Sequence, residues 1–140
     1  MDDILSQLDI NTDLARRVIV GFIRDALGKA GFSRAVIGLS GGLDSSVVAY
    51  LTAEALGPAN VLAVMMPYRT SNPESEGDAR KVIAALGLPH KKIDITAMAD
   101  PLLEQLPKDA ARRRGNIMAR LRMICLYDQS EEWRALVVGT

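Results

Sequence analysis

Apolar positions recur along this chain in two rhythms, and the alternation between them sketches its elements. Leu14, Ala15, Val18, Ile19, Phe22 and Ala26 fall at helical spacing, while Asp13, Arg16, Arg17 and Arg24 take the other side. This predicts a helical opening over about residues 1–33, ended by Gly31. Ala35 to Leu39 is then a continuous apolar run, the pattern of a strand buried on both faces. Val47, Val48, Leu51 and Ala55 mark a helix that stops at Gly57-Pro58. Val61 to Met66 is a second apolar run, left through the loop Pro67–Ser71. Asn72 before Pro73 starts the next helix, with an Asn cap and proline at the first helical position. Glu74, Glu76 and Asp78 load its first turns, Ala79, Val82, Ile83 and Leu86 give its buried stripe, and Gly87-Leu88-Pro89 closes it. His90 to Ile95 predicts a third strand, interrupted by Lys91 and Lys92. Asp100 to Ala111 holds two prolines and predicts no clear element. Gly115 to Asp128 predicts a helix, and Ala135 to Gly139 a fourth strand.

Strands that read as unbroken apolar runs and alternate with helices argue one α/β domain. It is a Rossmann-like, doubly wound parallel sheet with helices on both faces, built of βα units over residues 34–140. No internal repeat or low-complexity segment interrupts it. Thr140 directly follows the fourth strand, at the sheet edge where open α/β sheets bind ligands. The expectation is that these residues form the N-terminal portion of a longer domain, lacking its C-terminal part.

Composition narrows the function classes. With 17 basic and 17 acidic residues the formal net charge is zero, so no electrostatic argument favours a nucleic-acid or membrane binder. Met1-Asp2-Asp3 lacks the basic and apolar stretches of a signal peptide, and no apolar run of about 18 residues exists. One cysteine, Cys125, allows no disulfide within a chain and fits a reduced, cytoplasmic setting. It falls on an apolar helix stripe and reads as packing, as do Trp133 and the single histidine, His90.

The chemistry sits in Ser40-Gly41-Gly42-Leu43-Asp44-Ser45-Ser46, between the first strand and its helix. Gly41 and Gly42 can present backbone N–H groups with no side chain in the way, and the helix dipole aims at the same spot. Ser40, Ser45 and Ser46 add hydroxyls, which together make an anion cradle sized for pyrophosphate. It is not a Walker A loop, which needs Lys then Ser or Thr after its last glycine. Asp44 beside a polyphosphate would be repelled without a cation between them, so it reads as a Mg²⁺ ligand.

Ser-Gly-Gly-x-Asp-Ser is the signature of the N-type ATP pyrophosphatases, adenine nucleotide alpha hydrolase-like enzymes that split ATP between its α and β phosphates. They include GMP, asparagine and argininosuccinate synthetases, tRNA-modifying enzymes and NAD synthetase. Within this superfamily Gly115-Asn116-Ile117-Met118-Ala119-Arg120-Leu121-Arg122-Met123 resembles the Gly-Asn-x-x-Ala-Arg-x-Arg-Met segment of NAD synthetase. Leu136 to Thr140 resembles the strand that follows it there, and Met65 to Arg69 the family's Pro-Tyr loop. The similarity runs from about Val18 to Thr140 in the family's order.

The resemblance implies a ligase that makes NAD from deamido-NAD and ammonia. ATP is its co-substrate and Mg²⁺ its metal. Gly38, Leu39, Ser40, Gly41, Gly42, Leu43, Asp44 and Ser45 would hold ATP phosphates, and Thr140 would contact ATP. Asp44 would bind Mg²⁺. Arg120 would contact deamido-NAD, with Asn116 four residues before it on the same helix border. Arg122 lies on the other border and reads as a surface salt bridge, and Arg112-Arg113-Arg114 as a solvated face. The helix shows two apolar stripes, Ile117, Met118, Leu121, Ile124, Cys125 and Ala119, Met123, Leu126. One can face the sheet and the other needs a second surface, so a homodimer is expected, as in the family. Only 39 residues precede Ser40, too few for the amidase of a glutamine-using enzyme, which points to ammonia as nitrogen source. The alternatives are another ATP pyrophosphatase, or a nucleotide-binding or dimerising module without activity.

Overall fold

A computed structural model describes residues 9–140. Helices and strands alternate as α1 (Thr12–Lys29), β1 (Ala35–Gly38), α2 (Leu43–Leu56), β2 (Val61–Met65), α3 (Pro73–Leu86), β3 (His90–Lys92), α4 (Thr96–Leu103), α5 (Ala111–Trp133) and β4 (Leu136–Val138). The predicted helical opening is thus α1, and the share of it assigned to residues 1–8 lies outside the described residues.

The four strands are all parallel and lie in the order β3-β2-β1-β4. Alternate residues serve opposite faces, as a pleated strand requires. Ile37, Ala63 and Met65 pack on Ala49 and Ala53 of α2 and on Ala79 and Ile83 of α3. Val20, Ile23 and Leu27 of α1 join the same face beside Ala35 and Ala55. Val36, Leu62 and Val64 point the other way, onto Leu126 and Trp133 of α5. Both faces are covered, so the doubly wound expectation holds, and β1 and β2 read as apolar runs because they are buried on two sides, while β4 is apolar and half-buried. Ile37 and Val36, both essentially inaccessible, sit at the centre. Truncating such an isoleucine to alanine costs about 2–5 kcal/mol.

Three elements depart from the sequence expectation. β3 is three residues long and exposed at every position, because His90, Lys91 and Lys92 supply no apolar face. α4 forms across the stretch Asp100–Leu103 and keeps Pro101 inside it. A proline there removes one helical N–H, and the helix ends two residues later, so little is lost. α5 begins at Ala111, before Gly115. One interior glycine costs only about 1 kcal/mol, and the alanines and arginines around it are good helix formers.

Candidate active site

Every ligand-facing group proposed from sequence hangs on the carboxyl ends of β1, β2 and β4 or on α5. The strand order reverses around β1, and in such sheets the crevice outside the carboxyl ends takes the ligand.

Leaving β1, the chain passes through Leu39 and Ser40 into the two glycines. Leu39 donates its N–H to the Val64 carbonyl at 2.9 Å and buries its side chain in the core, so only its backbone can serve a ligand. Gly41 has φ +84°, and a Cβ there would collide with the Ser75 carbonyl of α3. Position 41 therefore needs glycine twice, for its conformation and for the close approach of α3. Serine hydroxyls hold the rest of the loop. Ser40 N–H donates to Ser45 Oγ at 3.2 Å, Gly42 N–H to Ser40 Oγ at 3.2 Å, and Ser46 Oγ to the Gly42 carbonyl at 2.7 Å.

Gly42 is the N-cap of α2 and brings no capping side chain. The first N–H groups of a helix have no partner within it, so Leu43, Asp44 and Ser45 present open donors beside the loop. That is the geometry of an anion site, with the positive end of the helix dipole behind it. Asp44 stands exposed in the first turn. Among the described residues no three His, Cys, Asp or Glu side chains converge as a metal cage. A Mg²⁺ ion needs no such cage where phosphate oxygens and water complete its octahedron, so one carboxylate at Asp44 fits this ion.

Beside the loop opens a cleft of about 570 Å³, lined by Gly38, Leu39 and Ser40, by Met65–Arg69, by the start of α3, and by Lys92, Asp94 and Arg122. That size suits a small-molecule ligand. The loop after β2 is tied down. Tyr68 Oη donates to Asp100 Oδ1 at 2.8 Å, Arg69 forms an ion pair with Asp100, and Arg69 N–H donates to Thr96 Oγ1 at 3.0 Å. On the cleft's other wall the hydrogen bonds from Lys92 and then Arg80 hold the Glu76 carboxyl below its usual range. Hydrogen bonds from Thr96 do the same for Asp94.

The remaining sequence candidates divide between the cleft, the start of α2, the end of β4 and α5. Gly38 lines the cleft, and its missing side chain admits Met66 and Leu126, whose nearest atoms would lie 3.2 and 3.4 Å from a Cβ. Gly42, Leu43 and Asp44 are exposed around the helix start, Ser45 is half-buried there, and Thr140 is exposed just past β4. Asn116 and Arg120 are exposed on α5 and bond each other, Arg120 Nη1 donating to Asn116 Oδ1 at 3.1 Å.

Arg122 corrects the sequence expectation. It makes no surface salt bridge. Its Nε donates to the Met66 carbonyl at 2.9 Å, and burial lowers its pKa. Arg120 and Arg122 lie about 200° apart around the helix, on opposite sides. Arg122, Leu126, Gln129 and Trp133 follow the spacing i, i+4, i+7, i+11, and this track faces the sheet. The signal was legible in the spacing, but an arginine in an apolar track was read as a border residue. Asn116, Arg120, Met123, Ile124 and Tyr127 share the opposite, exposed face.

The comparisons with known proteins bear on the family and the fold. The family model for NAD synthase matches residues 15–140. An NH(3)-dependent NAD(+) synthetase of Trichlorobacter lovleyi is 53% identical over 136 residues, covering 97% of this chain and 50% of that protein. The solved NH3-dependent NAD synthetase of Campylobacter jejuni superposes with a TM-score of 0.86 at 35% identity, covering 94% of this chain and 57% of that one. An NMN synthetase structure from Francisella tularensis has a TM-score of 0.85 at 28% identity, covering 94% and 55%. The chain spans about half the length of the curated relatives it matches. On the match over residues 15–140 and the fold it describes, the chain belongs to the NAD synthase family.

Proposed function

We propose that this chain carries the ATP site of an ammonia-dependent NAD synthetase, forming NAD from deamido-NAD through an acyl-adenylate. The observation that supports it best is the uncapped start of α2 behind the Ser40–Ser46 loop, a built receptor for a chain of phosphates.

In this reading the amides of Gly41, Leu43, Asp44 and Ser45 hold the phosphates, and the Asp44 carboxylate would hold Mg²⁺. When bound, Mg²⁺ supplies charge neutralisation on the polyphosphate. The nicotinate carboxylate of deamido-NAD attacks the α-phosphorus, the α–β bridging bond breaks, and pyrophosphate leaves. Ammonia then attacks the acyl carbon, AMP departs with the oxygen that joined it to the acyl group, and the nitrogen releases one proton to solvent to become the amide. No side-chain nucleophile is needed; the protein's part is positioning and charge stabilisation. Gly38, Leu39 and Ser40 contribute backbone at the cleft, Thr140 a contact to ATP, and Arg120 with Asn116 a contact to deamido-NAD.

The same reading makes the protein a homodimer in a reducing, cytoplasmic setting. Met123, Ile124 and Tyr127 lie exposed beside Asn116 and Arg120, and a second copy covering that face would enclose the substrate residues. No helix of the described residues is long and apolar enough to cross a membrane.

ATP–pyrophosphate exchange tests the reaction. It is expected to require deamido-NAD. Exchange that responds instead to xanthosine monophosphate or to nicotinate mononucleotide assigns a different acid substrate and overturns the reading. Arg120→Ala is expected to raise the deamido-NAD requirement and leave that for ATP unchanged; equal effects on both would make Arg120 structural.

A further inference from the structure

Three cationic side chains line the cleft, Arg69, Lys92 and Arg122. Two of them are neutralised within the protein. Lys92 Nζ lies 2.9 Å from Glu76 Oε2, and Arg69 pairs with Asp100. The cleft's other carboxylate, Asp94, accepts the Thr96 N–H at 2.8 Å. Among the described residues Arg122 has no carboxylate partner. Its one hydrogen bond runs from Nε to the Met66 carbonyl, so the two terminal nitrogens find no acceptor in the described protein.

This arrangement is costly. A half-buried cation loses hydration, and only a counter-charge or good acceptors offset that loss. The rest of the sheet-facing track holds Leu126, Gln129 and Trp133, where an apolar side chain would pack without the penalty. The Met66 carbonyl also fixes the plane of the guanidinium, so its outer edge is pre-set before any ligand arrives. A planar pair of N–H donors held in this way matches two oxygens of a phosphoryl group. Gly38 to Ser40, the entry to the phosphate loop, line the same cleft.

We propose that Arg122 is a specificity-determining residue that binds a phosphoryl oxygen of the nucleotide occupying this cleft. The proposal rests on the ATP reading of the site and adds to it a second anion contact, on the α5 side of the sheet and away from the α2 helix start. It also divides the labour between two arginines of one helix. Arg122 serves the cleft, and Arg120 serves the opposite face.

The test measures binding of ATP, AMP and adenosine by calorimetry to wild type, Arg122→Met and Arg122→Lys, with the ligand-free thermal midpoint of each. Arg122→Met is expected to weaken ATP and AMP at least tenfold, to leave adenosine unchanged, and to keep or raise the midpoint, since an unpaired, half-buried charge is gone. Arg122→Lys is expected to retain part of the phosphate affinity. Equal losses for all three ligands with a lowered midpoint would show that Arg122 only braces Met66, and unchanged ATP affinity in Arg122→Met would also overturn the proposal. Wild type that binds no nucleotide, or adenosine as tightly as ATP, sinks the ATP reading itself and this contact with it.

Discussion

Two helices start side by side at the carboxyl edge of the sheet, and they treat their first N–H groups in opposite ways. α3 opens with Asn72, whose Oδ1 accepts the Glu74 N–H at 3.0 Å, followed by Pro73, which has no N–H to satisfy. α2 opens with Gly42, which offers nothing to its first turn. α1 sides with α3, since Asn11 Oδ1 accepts the Leu14 N–H at 2.9 Å. An Asn cap stabilises a helix by about 1 kcal/mol, so α2 forgoes that stability. What it keeps is a row of donors facing the loop. Of these three, the helix left without a side-chain cap is the one behind Ser40–Ser46; α5, which starts after Ala110, also lacks one, so it is the place of the missing cap beside the loop that points to binding.

The comparison can be broken most severely at Gly41. Gly41→Ala forces a side chain into positive φ and into the Ser75 carbonyl, where α2's loop and α3 meet. The backbone penalty alone is about 1–3 kcal/mol. The expected result is loss of measurable ATP binding and a clear drop in thermal midpoint; an unchanged midpoint would mean the loop yields easily. Next is Asp44→Asn, which keeps shape and removes charge. ATP binding should lose its dependence on Mg²⁺, with a small change in midpoint because a first-turn carboxylate is worth only about 0.3–1 kcal/mol. Retained Mg²⁺ dependence removes Asp44 as the ligand.

Capping the uncapped helix sharpens the contrast. Gly42 has φ −77° and ψ 166°, a conformation open to any residue. Gly42→Asn should therefore leave stability within a few tenths of a kcal/mol. It should weaken ATP about tenfold, because its side chain competes for the donors. The mirror variant, Asn72→Ala, should cost about 1 kcal/mol in denaturant unfolding and leave ATP affinity alone. If both variants change affinity equally, the two helix starts are not distinct. The smallest effect concerns Glu76 in the first turn of α3. Its carboxyl is depressed in the folded state by Lys92 and Arg80, so its contribution is present at neutral pH. It begins to be lost as pH falls below about 4.3, the ordinary Glu value, and is gone once pH passes the depressed folded value. Glu76→Gln should flatten that part of the acid unfolding curve slightly.

Much of this was legible before any coordinates. The apolar runs located β1, β2 and β4, and Asn72-Pro73 located the start of α3 to the residue. The glycine loop was readable because its chemistry is local in sequence. What was not readable was long-range. That Gly41 needs room depends on Ser75, 34 residues away, and α3's approach has no local signature. Arg122 was misplaced for a related reason. Charge argued for the surface, while its spacing with Leu126 and Trp133 argued for the sheet, and packing against Met66 decided the matter. β3 was read on to Ile95 because Ile93 and Ile95 are apolar, yet only His90 to Lys92 pair with β2 and the two isoleucines pack beyond the strand's end.

The two borders of the sheet are unequal, and this bears on how the protein behaves in a crowd. β3 is short, and its lysines are tied to acids on neighbouring helices, Lys91 to Glu132 at 2.7 Å and Lys92 to Glu76 at 2.9 Å. A stray strand arriving there meets fixed charge and little backbone to zip onto, which is a natural guard against aggregation. β4 carries Leu136, Val137 and Val138, half-buried and without charge. An apolar, uncharged border of this kind accepts a further strand readily, whereas the β3 border turns one away.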